Sequence, residues 1–424
     1  MIFHRVNLFC VVFLSFAIQC WAAPLTLQEC LQKVKDNNPV LQNAAWDTRM
    51  AQENVRLAKS SSYPRIDAQA GYTMQLEPQA VIISGRTAET QEADFAFAGL
   101  SANYTLYDFG RRDARKHQAI ATADAAGQTF ESKRGDIALQ TIEAWFGILE
   151  AGKLITAAGD EVAQITEHRR IAQVLFEEGV VTRNDVLQAD VRLAAARQKL
   201  LALQNRRENS WLLLNFLTGS EPGYRAEMDE STSLTLDQVA DKDMAAIILK
   251  RHDIQAMKLG TEASESEVSE SKSNFFPELY TRLALDYVQN DKVREQAIMS
   301  ATLGIKFNLF DGYASTATRE KAIKSRSRIQ DSLRLAQEQA RLEINSAQND
   351  VAVSKERITV AEVAIRQSEE NLRINQERYK ERVGTATEVL DAQTLVTQAK
   401  SDYHRAYYEH QTATARLKHA IGEL

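Results

Sequence analysis

The chain runs through one order of landmarks twice, about two hundred residues apart, and that duplication constrains its fold more than any other feature. Pro39-Val40-Leu41-Gln42 has a counterpart in His252-Asp253-Ile254-Gln255, and Ser62-Tyr63-Pro64 in Phe275-Phe276-Pro277, both 213 positions on. Leu106-Tyr107-Asp108 returns as Leu309-Phe310-Asp311, 203 positions on. The same offset carries Val180-Val181-Thr182 and Asp185-Val186-Leu187 onto Val383-Gly384-Thr385 and Glu388-Val389-Leu390. An aromatic residue, Phe176 or Tyr379, precedes each threonine by six positions. Solenoid repeats have periods of about 20–50 residues, so this is a different architecture. It is two copies of one large unit, expected at 23–217 and 234–424 with a linker at 218–233. Each copy reads as helix, β-hairpin, long helices, turn and helix.

The hairpin regions, about 63–108 and 276–310, alternate at period two. Ile66, Ala68, Ala70, Tyr72 and Met74 oppose Arg65, Asp67, Gln69, Thr73 and Gln75. Leu100, Ala102, Tyr104 and Leu106 oppose Ser101, Asn103 and Thr105. In the second copy Leu283, Leu285 and Tyr287 oppose Arg282 and Asp286. Ala301, Leu303, Ile305, Phe307 and Leu309 oppose Ser300, Thr302, Lys306 and Asn308. Segments of about ten residues cross a bilayer as tilted strands. A half-buried soluble sheet shows the same alternation, so the pattern alone leaves both readings open. Four strands do not close a barrel, and lipid does not tolerate an open sheet edge. A bilayer reading therefore demands strands from further copies.

The remainder is helical. No proline interrupts 113–216 or 314–422, and charges alternate with alanine and leucine. The last helix carries a seam at Val389, Ala392, Val396, Ala399, Tyr403, Ala406, His410, Ala413 and Leu417. Its 3,4 spacing is a 3.5-residue repeat, which imposes left-handed coiled-coil packing. Val186, Ala189, Leu193, Ala196, Leu200 and Leu203 form the matching seam of the first copy. Long helices at about 112–217 and 314–421 are expected, broken by turns at 178–183 and 382–386. Individual helices of ~35–45 residues would span ~50–65 Å.

Residues 1–22 have the form of a cleavable signal peptide: a weakly basic start, an apolar core from Leu8 to Ile18, and small residues up to Ala22. Export removes Cys10 and Cys20 and leaves Cys30 alone, so no internal disulfide framework is available. The net charge of −6 over 424 residues gives no basic footprint for nucleic acid. His404, His410 and His419 lack the i,i+3 or i,i+4 spacing of a shared metal-ligand face. No nucleophile motif or phosphate loop is present. Neither an enzymatic activity nor a cofactor is expected.

The chain resembles the TolC-type outer-membrane efflux protein family. The residues that carry the likeness are Leu25-Thr26-Leu27 with Asn38-Pro39, Tyr63-Pro64 and Phe276-Pro277 opening the hairpins, Leu106-Tyr107-Asp108-Phe109-Gly110 and Leu309-Phe310-Asp311-Gly312 closing them, and Tyr379 followed by Val383-Gly384-Thr385 and Glu388 to Gln393. The resemblance implies an α+β membrane protein. It would be a homotrimer with one twelve-stranded transmembrane β-barrel, four strands per protomer, continued by a long α-helical coiled-coil barrel across the periplasm. It further implies an exit duct of a tripartite efflux pump or type I secretion system in the bacterial outer membrane. The partners would be outer-membrane lipid, a periplasmic adaptor (membrane fusion protein) and an inner-membrane transporter of RND, ABC or MFS type. The two turns would be adaptor-docking tips, through Val180, Val181, Thr182, Val383, Gly384 and Thr385. The first departs from the family pattern, its glycine standing earlier at Gly179. Tyr379, Glu388 and Asp391 match the residues that constrict the family's periplasmic aperture, with Glu388 where an aspartate is usual.

Local explanations compete with these roles. Thr385 and Glu388 have capping-box spacing, as have Thr182 and Asp185. Tyr379 and Phe176 are candidates for packing the turns. Asp391 has Gln188 as its counterpart, so capping does not require it. The cluster Arg111, Arg112, Arg115 and Lys116 suits either a membrane interface or a solvated helix start. A trimeric surface adhesin is the alternative reading, but its strands gather at the C-terminus, and here they are split between two repeats.

Overall fold

The computed structural model describes residues 24–235, 243–381 and 383–424. The expected signal segment 1–22 and Arg382 lie outside the described residues. Helix α1 (Leu27–Asn37) opens on a capping box formed by Thr26 and Glu29. Asn38 then caps α2 (Pro39–Ser60), with Pro39 in the first turn where its missing N–H costs nothing. The Asn38 amide also donates to the Leu217 carbonyl at 2.8 Å, in a buried position. Two helices, α3 (Arg111–Glu177) and α7 (Ala314–Lys380), have 67 residues each. They are followed by α4 (Arg183–Thr218) and α8 (Ala386–Ala420), of 36 and 35 residues. The short α5 (Met244–Lys250) and the 22-residue α6 (His252–Ser273) complete the second half.

The long helices exceed the expected ~35–45 residues and reach ~100 Å. Nothing in 111–177 ends a helix: there is no proline, and its five glycines cost only about 1 kcal/mol each. At their starts Asp108 accepts from the Arg112 N–H, and Asp311 accepts from the Ser315 N–H. The repeated aspartates are therefore helix caps. The basic cluster beside Asp108 is held by carboxylates. Arg111 pairs with Glu278 and ties α3 to β5, Arg112 pairs with Asp108 at the start of its own helix, and Arg115 pairs with Glu270 and ties α3 to α6.

Strands β1 (Arg65–Met74), β4 (Asp94–Tyr107), β5 (Glu278–Val288) and β6 (Ala297–Lys306) form one antiparallel sheet in the order β1-β4-β5-β6. Its register puts Ala68, Leu100, Leu285 and Met299 in one row, and Ile66, Ala102, Leu283 and Ala301 in the next. The intervening rows are polar but for Ala284: Asp67, Ser101, Ala284 and Ser300, then Arg65, Asn103, Arg282 and Thr302. One face is thus apolar across all four strands, yet it stays uncovered within the protomer. Met299 is 81% exposed and Leu303 is 69% exposed. Two expected face residues fall outside the pattern. A bulge between Thr105 and Tyr107 takes Leu106 out of register, and β6 ends at Lys306, before Phe307 and Leu309.

A second hairpin, β2 (Ala80–Ile83) and β3 (Arg86–Glu89), sits in the β1–β4 connection. Ser84 and Gly85, at φ 51° and 80°, make the left-handed pair of a two-residue turn. On the sheet's polar face, glycines admit aromatic rings: a Cβ on Gly304 would lie 2.6 Å from Tyr280. Gly304→Val is therefore expected to destabilise the protein by ~1–3 kcal/mol per copy, read as a lowered melting midpoint in detergent.

The main core lies at mid-length, where Trp145, Phe146 and Leu149 of α3 meet Trp211, Leu214 and Leu217 of α4, with Tyr408 of α8 and Leu27, Cys30 and Val34 of α1. A second cluster joins Ile247, Ile248 and Ile254 to Ile344 of α7 and Leu417 of α8. Towards the turns a smaller cluster joins Ile165, Leu193, Ala196 and Leu390. Among the described residues no helix is long and apolar enough to cross a membrane.

The helices form a layer and not a closed bundle. On the sheet side the neighbours run α2-α3-α6-α7, and toward the turns α4-α3-α8-α7. Each edge carries an uncovered apolar stripe: Trp46, Met50 and Leu57 on α2, Leu187, Val191 and Leu201 on α4, and Leu335, Leu342, Val353, Val360 and Ile374 on α7.

Candidate aperture and docking site at the helix turns

Both turns hang from the ends of the long helices and are closed by local hydrogen bonds. In the first, Gly179 adopts φ 74°, a conformation that costs other residues strain. The Val180 N–H then reaches back to the Leu175 carbonyl at 2.8 Å, satisfying a helix-end acceptor. Asp185 accepts from the Thr182 N–H at 2.9 Å and from its hydroxyl at 2.8 Å. In the second turn the N–H groups of Val383 and Gly384 both reach the Arg378 carbonyl, at 2.9 and 3.0 Å. Thr385 and Glu388 form a capping box, each accepting from the other's backbone. The two glycines differ in purpose. A Cβ on Gly384 would meet the Glu388 carboxylate at 3.1 Å and Arg378 at 3.2 Å, whereas Gly179 has open space and is required for its backbone angle. This accounts for the glycine's different position in the two copies. Val180 and Val383, 58% and 72% exposed, project from the turns.

A groove of about 810 Å³ opens above the turns, with α3 and α7 as walls and α8 as floor. Its wall on α3 presents Gln164, His168, Ile171, Leu175 and Glu178, again at 4,3 spacing, and its wall on α7 presents Leu372, Gln376 and Tyr379. Ile165 and Glu167 on α3 and Lys380 on α7 line the groove beside them, so the spacing resembles a coiled-coil repeat without being confined to one stripe. Tyr379 and His168 face each other with ring centroids 6.2 Å apart. The Tyr379 hydroxyl and His168 Nε2 are shielded from solvent and have no hydrogen-bond partner among the described residues. Burial, and then the Asp185 charge, raise the Tyr379 phenol above its ordinary value. Burial lowers the His168 imidazole, opposed by Asp185.

The three aperture candidates are not brought together within the protomer. Tyr379 lines the groove. Glu388 caps α8, with Arg378 3.8 Å away. Asp391 lies two residues beyond the groove-lining Val389, so it is turned about 200° away from it around α8. There Asp391 pairs with Arg192 of α4 at 2.7 Å, and the neighbouring Thr387 meets Gln188, also of α4. His168 and Arg192 were not singled out in the sequence. His168 could have been found from the 3.5-residue spacing of its own helix; Arg192 had no local signal, because its partner is 199 positions away.

Comparisons with known proteins agree with this architecture. The family model for outer membrane efflux proteins matches residues 30–220 and 245–423. The chain is 21% identical to outer membrane protein TolC of Vibrio cholerae over 95% of this chain and 92% of that one. It is also 21% identical to the alkaline protease secretion protein AprF of Pseudomonas aeruginosa, over 92% and 82%. Among solved structures, the outer membrane protein VceC of Vibrio cholerae superposes with a TM-score of 0.81 at 19% identity, covering 93% of this chain and 96% of that one. The two blocks of the family match fall on the two copies of the repeated unit and together take in most of its helices and all of the four-stranded sheet, so this chain belongs to the outer membrane efflux protein family.

Proposed function

We propose that the chain forms the outer-membrane exit duct of a tripartite efflux or type I secretion assembly, as a homotrimer. The carrying observation is that the protomer is an open ribbon at every level. Its free edges are β1 and β6 in the sheet, α2 and α7 beside it, and α4 and α7 toward the turns. Copies placed edge to edge join β6 to β1, and α7 to α2 and α4, and close both layers at once. Three copies would give a twelve-stranded barrel, and the helices would close as a coiled-coil tube. The uncovered apolar face then meets lipid, and the polar rows line the channel. Phe109 stacks on Phe276 and meets Tyr107 edge-on at the helix end of the sheet, with Phe310 against Tyr313 nearby. Aromatic girdles mark a membrane–water interface, which supports a barrel ending where the helices begin; in the proposed duct the helices lie in the periplasm and the β2–β3 hairpin outside.

The turns and their groove are the docking region for a periplasmic adaptor. The heptad-like spacing on the groove's walls suits a helical occupant. Val180, Val181, Thr182, Val383, Gly384 and Thr385 would form its rim. An inner-membrane transporter would supply the energy; the duct itself performs no chemistry. A cysteine pair at Ile374 and Val191, which stand at about the same height above the turns, should cross-link between copies. A protein that stays monomeric, without detergent, in the aqueous fraction refutes the duct. Deletion in the native host separates the two uses: hypersensitivity to small toxic compounds marks efflux, and loss of one secreted protein with unchanged tolerance marks secretion.

Asp391 is assigned to the channel constriction. Crowded like charges in a narrow ring attract cations, and Arg192 offsets that charge. Asp391→Asn is therefore expected to weaken cation selectivity in planar bilayers, and Arg192→Gln to strengthen it. Unchanged reversal potentials in both variants would remove Asp391 from the constriction.

A further inference from the structure

We propose that His419 is a pH-operated clasp that fastens the end of α8 to both 67-residue helices, closed in acid and released in alkali. The inference rests on the protomer fold and is independent of the duct reading. His419 lies in the last turn of α8, where a cation also suits the helix dipole. Its Nε2 meets the Asp136 carboxylate of α3 at 2.8 Å, and its Nδ1 lies 3.8 Å from Glu343 of α7. Arg251, at the α5–α6 junction, is the other cation. It binds Glu343 at 2.8 Å and Asp253 at 2.9 Å, and donates to the Ala420 carbonyl at 2.8 Å. The four elements surround a cavity of about 260 Å³, which Glu131 and His252 also line. His252 is engaged with Gln128. On α8 itself, Arg416 is committed to Glu143, and Lys418 precedes His419.

The charge balance makes the histidine decisive. Glu131, Asp136, Asp253 and Glu343 face the cavity; Arg134 takes up Glu131 at 2.6 Å, and Arg251 alone does not offset the other three. A protonated His419 supplies the second cation and joins α3 to α7 through α8. A neutral imidazole retains at most one hydrogen bond. Glu343, then Asp136, raise the His419 imidazole above its ordinary value, against the opposing effect of burial. Glu343 itself is held down to about 2, first by His419, and so stays ionised across the working range. The sign follows from the raised value: the clasp is complete below the ordinary imidazole value of about 6.5 and is lost as pH climbs through the raised one. The far end of α8 is ~50 Å away and carries the Thr385 turn and Asp391, so the clasp anchors the helix that bears them.

The test compares wild type with His419→Gln in detergent at about pH 6 and about pH 9, values that bracket imidazole titration. Melting midpoints and hydrogen-exchange protection of 410–421 are read, the latter corrected for intrinsic exchange rates. Wild type is expected to lose ~2–4 °C and several-fold protection over that interval. His419→Gln should be low and flat at both values. A His419→Gln protein that keeps the wild-type pH dependence overturns the clasp. If that variant does not fold, Asp136→Asn serves instead. It should move the wild-type transition to lower pH, and an unmoved transition overturns the proposal equally. Neither readout requires channel formation, so a failure of the duct reading would appear separately, as a monomer without conductance.

Discussion

Replacing Leu285 by arginine is expected to abolish insertion into the outer membrane while Ser300→Arg is accepted. Leu285 sits near the middle of β5, between Leu100 and Met299, in a row that is apolar across all four strands. An arginine on the lipid face at the bilayer midplane costs ~2–4 kcal/mol. In the proposed trimer the cost is incurred three times, ~6–12 kcal/mol per assembly, comparable to the whole stability of a typical domain. Ser300 is next to Met299 on β6, but the pleat turns it to the other face, in the row of Asp67 and Ser101. There an arginine would stand in water with carboxylates in reach. The contrast holds the introduced charge constant and, on adjacent strands, keeps depth to within one residue, so face is the variable that separates the two. Membrane fractionation and heat-modifiable migration of the two variants would decide it. Equal insertion of both would show that the apolar face does not meet lipid.

That contrast was legible in the sequence because side-chain period and register are linked. Once strands alternate, pairing them by their apolar positions leaves one choice of face. Leu106 escaped because a bulge is a property of two strands together, and one strand's pattern does not contain it. The β2–β3 hairpin escaped for a different reason. Its Ser84-Gly85 turn has the right chemistry, but its strands are four residues long and do not alternate. Most of the α8 seam was readable. Ala392, Val396, Ala399, Ala406, Ala413 and Leu417 are buried, whereas Val389, Tyr403 and His410 are only partly so; α8 also buries Leu390, Gln393, Thr397 and Tyr408, because it packs on both α3 and α7. Thr385 and Glu388 were legible as a cap, since both partners lie within one turn. The charged contacts were not. Arg192 with Asp391, and His419 with Asp136, join residues from different copies of the repeat, and sequence spacing says nothing about such pairs. The same holds for His168 and Tyr379, which meet only because α3 and α7 flank α8.

Replacing Leu342 by glutamate is expected to leave the protein monomeric, with its sheet intact but uninserted. Leu342 is 69% exposed on α7 and belongs to the stripe that also contains Leu335, Val353 and Val360. Their spacings of 7, 11 and 7 residues return to one side of a helix of 3.6 residues per turn. α7 is an edge at both levels of the helical layer, so this stripe has no partner within the chain. Burying a leucine stabilises by ~1.5–3 kcal/mol, and the substitution forfeits that in every copy. It also places an unpaired carboxylate in a closed seam, which costs several kcal/mol more. In the proposed assembly barrel and tube close through the same neighbouring copies, so a break in the helical seam would also leave β1 and β6 unpaired. Lipid excludes such edges, and the barrel should be lost although no strand residue has changed. Leu285→Arg is expected to act in the opposite sense, weakening insertion while leaving the helical seam able to form. Size-exclusion chromatography with light scattering distinguishes the two: a trimeric Leu342→Glu protein would show that α7 does not carry the closing edge.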